Sequence, residues 1–229
     1  GGKQMRKLII LFSLLLIMTG SALAQITKDG ENYTFRKKYP EGEKLSYQVL
    51  IRDNEKEIDS GTYSLEYKLM KLDEEFHVLS YEVSLNSLIE PLQVSLVTDE
   101  RGLAEEENKY PDYAESKIYY AVIGESRLPE EAIAIGTKWG DNKAGDDQHE
   151  SLFRFNGIEK DGETEVAVLE MSFTSADKFT VITGDLKVRT DDGTLHSAKF
   201  NRHRIVPSYD TDGKLVQNDL ETIIEVSRQ

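Results

Sequence analysis

Residues 42–85 read GEKLSYQVLIRDNEKEIDSGTYSLEYKLMKLDEEFHVLSYEVSL, and this stretch decides the fold. It holds three segments of alternating apolar and polar residues, starting at Leu45, Tyr63 and Leu79, which short charged turns join. Successive side chains of a β strand point to opposite faces, so each segment has one apolar face and one polar face. The stretch therefore predicts an antiparallel meander whose apolar faces share one core.

Toward the C-terminus the chain repeats this rhythm of strand and turn. Asp-Gly pairs at residues 161–162, 192–193 and 212–213 separate segments that again alternate in polarity. Asp-Gly between strands is typical of a hairpin, because glycine accepts a positive φ. This part of the chain therefore predicts further antiparallel hairpins.

Residues 112–124 (DYAESKIYYAVIG) depart from the alternating pattern. The segment starts with an aspartate suited to an N-cap and ends at a glycine, and its apolar residues fit helical spacing. It predicts a short helix, and a strand through Ile118, Tyr120 and Val122 is the alternative.

The whole pattern predicts an all-β, mainly antiparallel protein of about nine or ten strands with at most one or two short helices. The alternation does not separate an up-and-down barrel from a half-barrel or a sandwich. Residues 25–229 are expected to form a single β domain. The polar loop 140–150 is the best candidate for a boundary between two halves, about 42–124 and 128–229.

The N-terminal segment has the features of a secretory signal peptide. A short positive stretch precedes the apolar run LIILFSLLLIM at residues 8–18, and an Ala-Leu-Ala sequence supplies the small residues that a signal peptidase needs. The run is shorter than the roughly 20 residues of a membrane span. We interpret residues 1–24 as a signal peptide with a short N-terminal extension, cleaved between Ala24 and Gln25. The mature protein is then periplasmic or secreted, with no transmembrane segment.

Composition excludes several classes of function. The chain has no cysteine, which excludes disulfides, thiolate catalysis, cysteine-ligated zinc and a lipid anchor attached at cysteine. Its formal net charge is −14, and such a field disfavours nucleic acid and anionic membrane surfaces as partners. Neutral ligands and basic partners remain compatible with it.

No catalytic motif is recognisable in the sequence. GxSxG, P-loop and GxGxxG patterns are absent, and none of the four histidines has HExxH spacing. His196 and His203 are seven residues apart on one predicted strand, which would place them on opposite faces and disfavours a shared zinc site. The sequence therefore predicts a non-enzymatic protein without a cofactor or a metal site.

One basic cluster lies on a predicted strand of this acidic chain. It combines Lys199 with the run Arg202-His203-Arg204. The cluster could meet an anionic ligand, but we expect it to pair with acidic residues of neighbouring strands.

Four stretches resemble uncharacterised bacterial exported β-rich domains of unknown function. In such domains a Gly-Glu-x-Leu-x-Tyr strand precedes a second strand that starts at a glycine, and a Pro…Gly…Trp turn precedes paired strands. The matching stretches are YPEGEKLSYQVLIRDNEKEIDSGTYSLEY, LPEEAIAIGTKWG, FRFNGIEKDGETEVAVLEMSF and LKVRTDDGTLHSAKF. The resemblance covers most of the mature chain. It implies an envelope or periplasmic location and an antiparallel, barrel-like fold, and it implies no activity.

Aromatic residues gather where the meander is interrupted, and they form the candidate site. The five residues expected to border a ligand site are Tyr119, Tyr120, Trp139, Phe153 and Phe155. Aromatic rings at the mouth of a β structure would give an apolar ligand a surface to bury against. Packing in the core is the alternative role for these rings.

Together these observations predict an exported, non-enzymatic β protein. It would bind a hydrophobic or carbohydrate ligand, or an envelope partner, in or on its β structure. A structural or interaction protein without a small-molecule site is the first alternative, and a hydrolase with an unrecognised site is the last.

Overall fold

The computed structural model describes residues 26–36, 42, 44–53, 55–71, 75–98, 128–129, 131–142, 150–175 and 178–229. These residues form β strands joined by turns. In chain order the strands are β1 (Ile26–Asp29), β2 (Asn32–Phe35), β3 (Lys44–Asp53), β4 (Lys56–Lys71), β5 (Glu75–Leu85), β6 (Leu92–Thr98), β7 (Ile133–Ala134), β8 (Lys138–Asn142), β9 (Glu150–Asp161), β10 (Thr164–Thr174), β11 (Thr180–Arg189), β12 (Leu195–Tyr209) and β13 (Leu215–Arg228).

The predicted all-β, antiparallel class is confirmed. The three segments of residues 42–85 are β3, β4 and β5, and β3 buries every second residue as its alternation predicts. On the same face, the Tyr63 ring packs between the tilted rings of Tyr47 and Tyr81, with ring centroids 5.7 and 5.9 Å apart. The helix predicted at 112–124 lies outside the described residues.

Ten strands form one antiparallel sheet in the order β6-β5-β4-β3-β13-β12-β11-β10-β9-β8. Of the three predicted architectures, the closed up-and-down barrel is wrong, whereas a half-barrel or sandwich agrees with the sheet. Among the described strands, the edge strands β6 and β8 do not pair with each other. Strand β7 pairs with β2 in a separate three-stranded sheet, β1-β2-β7, which we call the small sheet.

The buried apolar residues lie on one face of the large sheet, the core face, and the small sheet packs against it. Phe35 of β2 is fully buried in this core. Backbone hydrogen bonds hold the small sheet in place: Ile26 donates to the Thr190 carbonyl at 3.0 Å, and Gly136 donates to the Phe155 carbonyl at 2.7 Å. The small sheet thus covers the core toward the β11–β12 turn.

The antiparallel order gives the large sheet two different ends. The β3–β4, β5–β6, β10–β11 and β12–β13 connections all lie at one end, which we call the turn end. The β9–β10 and β11–β12 turns lie at the opposite end. We call this opposite end the plug end. The small sheet covers the core toward it and is bonded to the β11–β12 turn there, through the Ile26 N–H and the Thr190 carbonyl.

A cluster of ion pairs closes the β11–β12 turn at the plug end. Arg189 binds Asp191, with Nε 2.9 Å from Oδ1, and also lies 3.5 Å from an Asp192 oxygen. Asp192 accepts hydrogen bonds from Thr194 and from Arg228 of the last strand, the latter at 3.0 Å. These bonds tie the C-terminal end of β13 to the turn.

Asp191 should make the protein's stability sensitive to acid. The hydrogen bond from Arg189 lowers the pKa of the Asp191 carboxyl in the folded state. A lowered folded pKa gives a stabilisation that is complete above the unfolded value, about 3.9, and is lost as the pH falls through the folded pKa. We therefore expect the Asp191→Asn variant to lose less stability than the wild type on acidification, measured by urea unfolding at a series of pH values. Arg189→Gln should flatten the same part of the curve, and an unchanged slope in that variant would contradict the assignment.

Candidate functional site

The structure brings three of the five predicted site residues onto neighbouring strands. Trp139 lies on β8, and Phe153 and Phe155 lie on β9, with Trp139 paired directly to Phe153. Tyr119 and Tyr120 lie outside the described residues. The part of the predicted site that the structure describes is therefore a ring cluster at the β8–β9 edge of the sheet.

Two further rings join this cluster from the small sheet. Trp139 stacks on Phe153 with centroids 5.8 Å apart and an interplanar angle of 17°. Phe155 meets the edges of Phe35 and Tyr33, with centroids 5.1 and 5.0 Å apart. Sequence reasoning missed Tyr33 and Phe35, because β2 is too short for an alternating pattern to stand out. Their spacing of two residues was the available indication.

Burial separates the rings into two groups. Phe35 and Phe155 are fully buried and Phe153 is 2% exposed, whereas Trp139 is half-buried. The phenylalanines therefore pack the core, and Trp139 is the predicted site ring that still reaches the surface. Aromatic rings offer apolar and π surface, so the cluster is suited to binding an apolar ligand.

The basic cluster pairs largely as expected. On the outer face of the sheet, Lys199 Nζ is 3.0 Å from Glu225 Oε1, and His203 Nε2 is 3.5 Å from Asp219 Oδ1. Arg202 Nε donates to Thr222 Oγ1 at 3.0 Å on the neighbouring strand. The prediction of pairing with acidic neighbours is thus confirmed for Lys199 and His203.

The expected placement of His196 and His203 on opposite faces is wrong. A β-bulge shifts the register between β11 and β12, so that Val188 faces Leu195 while Lys187 faces Ser197. The extra residue turns His196 outward, where its Nε2 lies 3.8 Å from Asp161 Oδ2. The described residues contain no group of His, Asp or Glu side chains that could hold a metal ion.

Exposed apolar side chains mark the turn end, a feature that sequence reasoning missed. The exposed large hydrophobics near this end are Ile58, Ile89, Leu152, Phe179, Tyr209, Leu215 and Leu220. Among the described residues only one more belongs to this group, Ile135, which lies beside the small sheet. The periodicity of the sequence gives the strands but not their relative lengths, so it could not show which apolar residues extend past their neighbours.

The most prominent part of the turn end is the arm, which we define as residues 205–221 of the β12–β13 hairpin. β11 begins opposite Arg204 and β3 last pairs with Ile223, so the arm extends past both flanking strands. Tyr209 and Leu215 face each other near its tip and are 75% and 58% exposed.

The tip of the arm is internally braced. Asp210 Oδ1 accepts hydrogen bonds from the backbone N–H groups of Asp212 and Lys214, at 3.0 and 2.8 Å. The Asp210 N–H in turn donates to the Lys214 carbonyl at 2.9 Å. The arm thus holds the exposed side chains of Tyr209 and Leu215 on a defined turn.

A shallow polar depression also opens at the turn end, beside the β5–β6 turn, and Glu57, Asp59 and Ser87 line it. The Asp59 carboxylate accepts hydrogen bonds from the Ser60 N–H at 2.8 Å, from the Ser87 N–H at 3.2 Å and from the Ser87 hydroxyl. This carboxylate therefore secures the β5–β6 turn.

Comparison of the chain with protein-family models, curated proteins and solved structures finds no match. In the described parts of the chain, no helix has the length and apolar character needed to cross a membrane.

Proposed function

We propose that this chain is an exported, non-enzymatic binding protein whose turn end docks a protein partner of the cell envelope. The observation that carries the proposal is the asymmetry between the two ends. The small sheet covers the core toward the plug end, while the exposed large hydrophobics gather around the turns of the other end. Exposed apolar groups that cluster in this way are typical of interaction surfaces.

The arm is suited to this role because it is ordered before binding. Its tip is held by the hydrogen bonds of Asp210, so little conformational entropy is lost when Tyr209 and Leu215 meet a partner. Tyrosine also supplies a large contact area with few rotatable bonds. The net charge of −14 favours a neutral or basic partner over an acidic one.

Site-specific photo-cross-linking in the intact host tests the docking surface. A photoreactive residue at Tyr209 is expected to give a discrete adduct with one protein, whereas the same residue at Ile135, an exposed apolar position beside the small sheet, gives none. The purified partner should then bind the wild-type chain, and the double variant Tyr209→Ser, Leu215→Ser should weaken that binding at least about tenfold. Equal cross-linking at both positions, or full affinity of the double variant, would remove the proposal.

Export is the second part of the proposal, and the N-terminal segment supports it. The apolar run at residues 8–18 and the Ala-Leu-Ala sequence before Gln25 predict removal of residues 1–24 during export. N-terminal sequencing of the protein recovered from its host should therefore begin at Gln25. A chain that keeps residues 8–18 would contradict the periplasmic or secreted location.

A second candidate function is a small apolar or carbohydrate ligand at the ring cluster, which the half-buried position of Trp139 on Phe153 favours. Trp139 is the only tryptophan, so its emission reports on this place alone. A lipid or oligosaccharide bound there should shift the emission and raise the melting temperature. Trp139→Phe should abolish the fluorescence signal and leave the fold intact. If a broad panel of lipids and glycans produces neither change, the ligand-carrier function is excluded.

A further inference from the structure

The arm has one open edge, on the outer side of β13. β3 runs beside β13 from Ile223 onward, and no strand among the described residues continues beside residues 215–221. Six of these seven residues are exposed and Val216 is half-buried. Because so many of them are in contact with solvent, this edge is uncovered.

The backbone of this edge can accept another strand. The Gln229 N–H donates to the Ser46 carbonyl of β3, so the odd-numbered residues of β13 direct their backbone groups toward the β3 side. Along the arm these residues include Gln217, Asp219 and Glu221. They present a row of N–H and C=O groups, which is the template for adding a strand.

The other edge of the arm, on β12, offers fewer free backbone N–H groups to an incoming strand than the β13 edge does. The Ile205 N–H already donates to the Phe179 carbonyl at 2.8 Å. Pro207, two residues further along, has no N–H to offer. An incoming strand is therefore directed to β13.

The acidic residues beside the open edge favour a basic partner strand over a second copy of the chain. Asp219, whose side chain is 71% exposed, and Glu221 point to the outer face, and Glu55 and Glu57 of the adjacent β3–β4 hairpin are also exposed. Antiparallel pairing of two copies of the chain would bring both copies' Asp219 and Glu221 onto one face, where like charges on neighbouring strands are destabilising. A strand with basic side chains at alternate positions would instead form favourable cross-strand pairs.

We propose that the free edge of β13, residues 215–221, binds an extended basic segment of a partner protein by β-strand addition. The proposal refines, and rests on, the docking of a partner at the turn end. Backbone hydrogen bonds would supply the affinity and alternate side chains the specificity. Basic residues of the segment would face Asp219 and Glu221, and apolar residues between them would lie beside Val216 and Leu220.

A short peptide that alternates lysine and valine, with blocked ends, is the probe. It should bind the full-length mature chain and protect the amides of Gln217, Asp219 and Glu221 from hydrogen exchange. Gln217→Pro removes one outward N–H without touching the β12 pairing, and it should weaken binding at least about tenfold. Gln217→Ala keeps that N–H and is the matched control, with unchanged affinity. Thermal unfolding of each variant verifies its fold.

A second comparison separates backbone pairing from charge attraction alone. The same peptide methylated at every backbone nitrogen keeps every charge but has no backbone N–H to donate on either edge, so it should lose the binding. Equal affinity of the methylated peptide, equal affinity of Gln217→Pro, or no binding of the parent peptide would overturn the proposal. The proposal would also be overturned if the chain formed a concentration-dependent dimer that Gln217→Pro abolishes, since that result would identify a second copy as the occupant. If the edge fails in these ways while cross-linking at Tyr209 remains specific, docking at the turn end stands and only its mode is wrong.

Discussion

Replacing Gly184 by alanine is expected to cause a large loss of stability, because the added methyl group would collide with the backbone of the neighbouring strand. Gly184 lies on β11 between Met171 of β10 and Phe200 of β12. A Cβ at this position would overlap the backbone carbonyl oxygen of Lys199 and also press on the Phe200 Cα. Backbone atoms cannot rotate away as a side chain does, so the two strands would have to separate.

We expect Gly184→Ala to cost more than about 3 kcal/mol of unfolding free energy, the upper range for overpacking a core. Urea unfolding of the variant, or its failure to refold, is the measurement. Gly162→Ala is the matched control: it lies in the β9–β10 turn with open space around it and a φ of 63°, so only the left-handed backbone opposes a side chain. That control should lose about 1–2 kcal/mol. A Gly184 variant no less stable than the control would mean that the contact between the strands relaxes.

Truncating Phe155 to alanine should also destabilise the protein strongly. The Phe155 ring is fully buried and meets the rings of Tyr33 and Phe35, so it joins the large sheet to the small sheet. Removing a buried phenylalanine side chain leaves a cavity and costs about 3–5 kcal/mol. Chemical denaturation followed by circular dichroism measures the loss.

Leu152→Ala provides the comparison for Phe155 on the same strand. Leu152 is 40% exposed, so its truncation should cost much less. If both variants lost equal stability, the small sheet would not depend on Phe155 for its attachment. Trp139 emission in the Phe155→Ala variant adds a second readout, since Trp139 also lies 6.4 Å from Phe35 and would sense release of the small sheet.

Variants at Gly184 and Phe155 are expected to change stability, whereas variants in the arm are expected to change partner binding. Neither Gly184 nor Phe155 belongs to the turn end, whereas Tyr209, Leu215 and Gln217 are exposed and make little contribution to the core. Variants of the arm are therefore expected to change partner binding with little change in melting temperature. This difference allows a loss of binding to be assigned to the arm rather than to unfolding.

Local alternation was sufficient to predict the strands. In β3 the apolar residues Leu45, Tyr47, Val49 and Ile51 occupy every second position, and their burial on one face follows directly from that period of two. The Asp-Gly pair at residues 161–162 likewise marked the β9–β10 turn, where Gly162 has a positive φ. That Lys199 pairs with an acidic residue of a neighbouring strand was also predicted, because opposite charges on adjacent strands attract.

The register of the strands and their relative lengths could be known only from the tertiary structure. The bulge beside Leu195 reverses the face of His196, and no local pattern marks that extra residue. The role of Phe155 in the core depends on Tyr33 and Phe35, more than a hundred residues away in the chain. The pairing of β7 with β2 is likewise non-local, because it joins segments that are far apart in the chain.

By itself the sequence determined the class of the protein: antiparallel β structure, an acidic surface and a core built from alternate residues. These properties depend on side-chain periodicity and composition, which each segment carries locally. Only the tertiary structure decided that the β12–β13 hairpin extends past β3 and β11. The length of its free edge depends on where those two neighbouring strands end. The exposed Tyr209 and Leu215, and the open backbone of residues 215–221, follow from that difference in length.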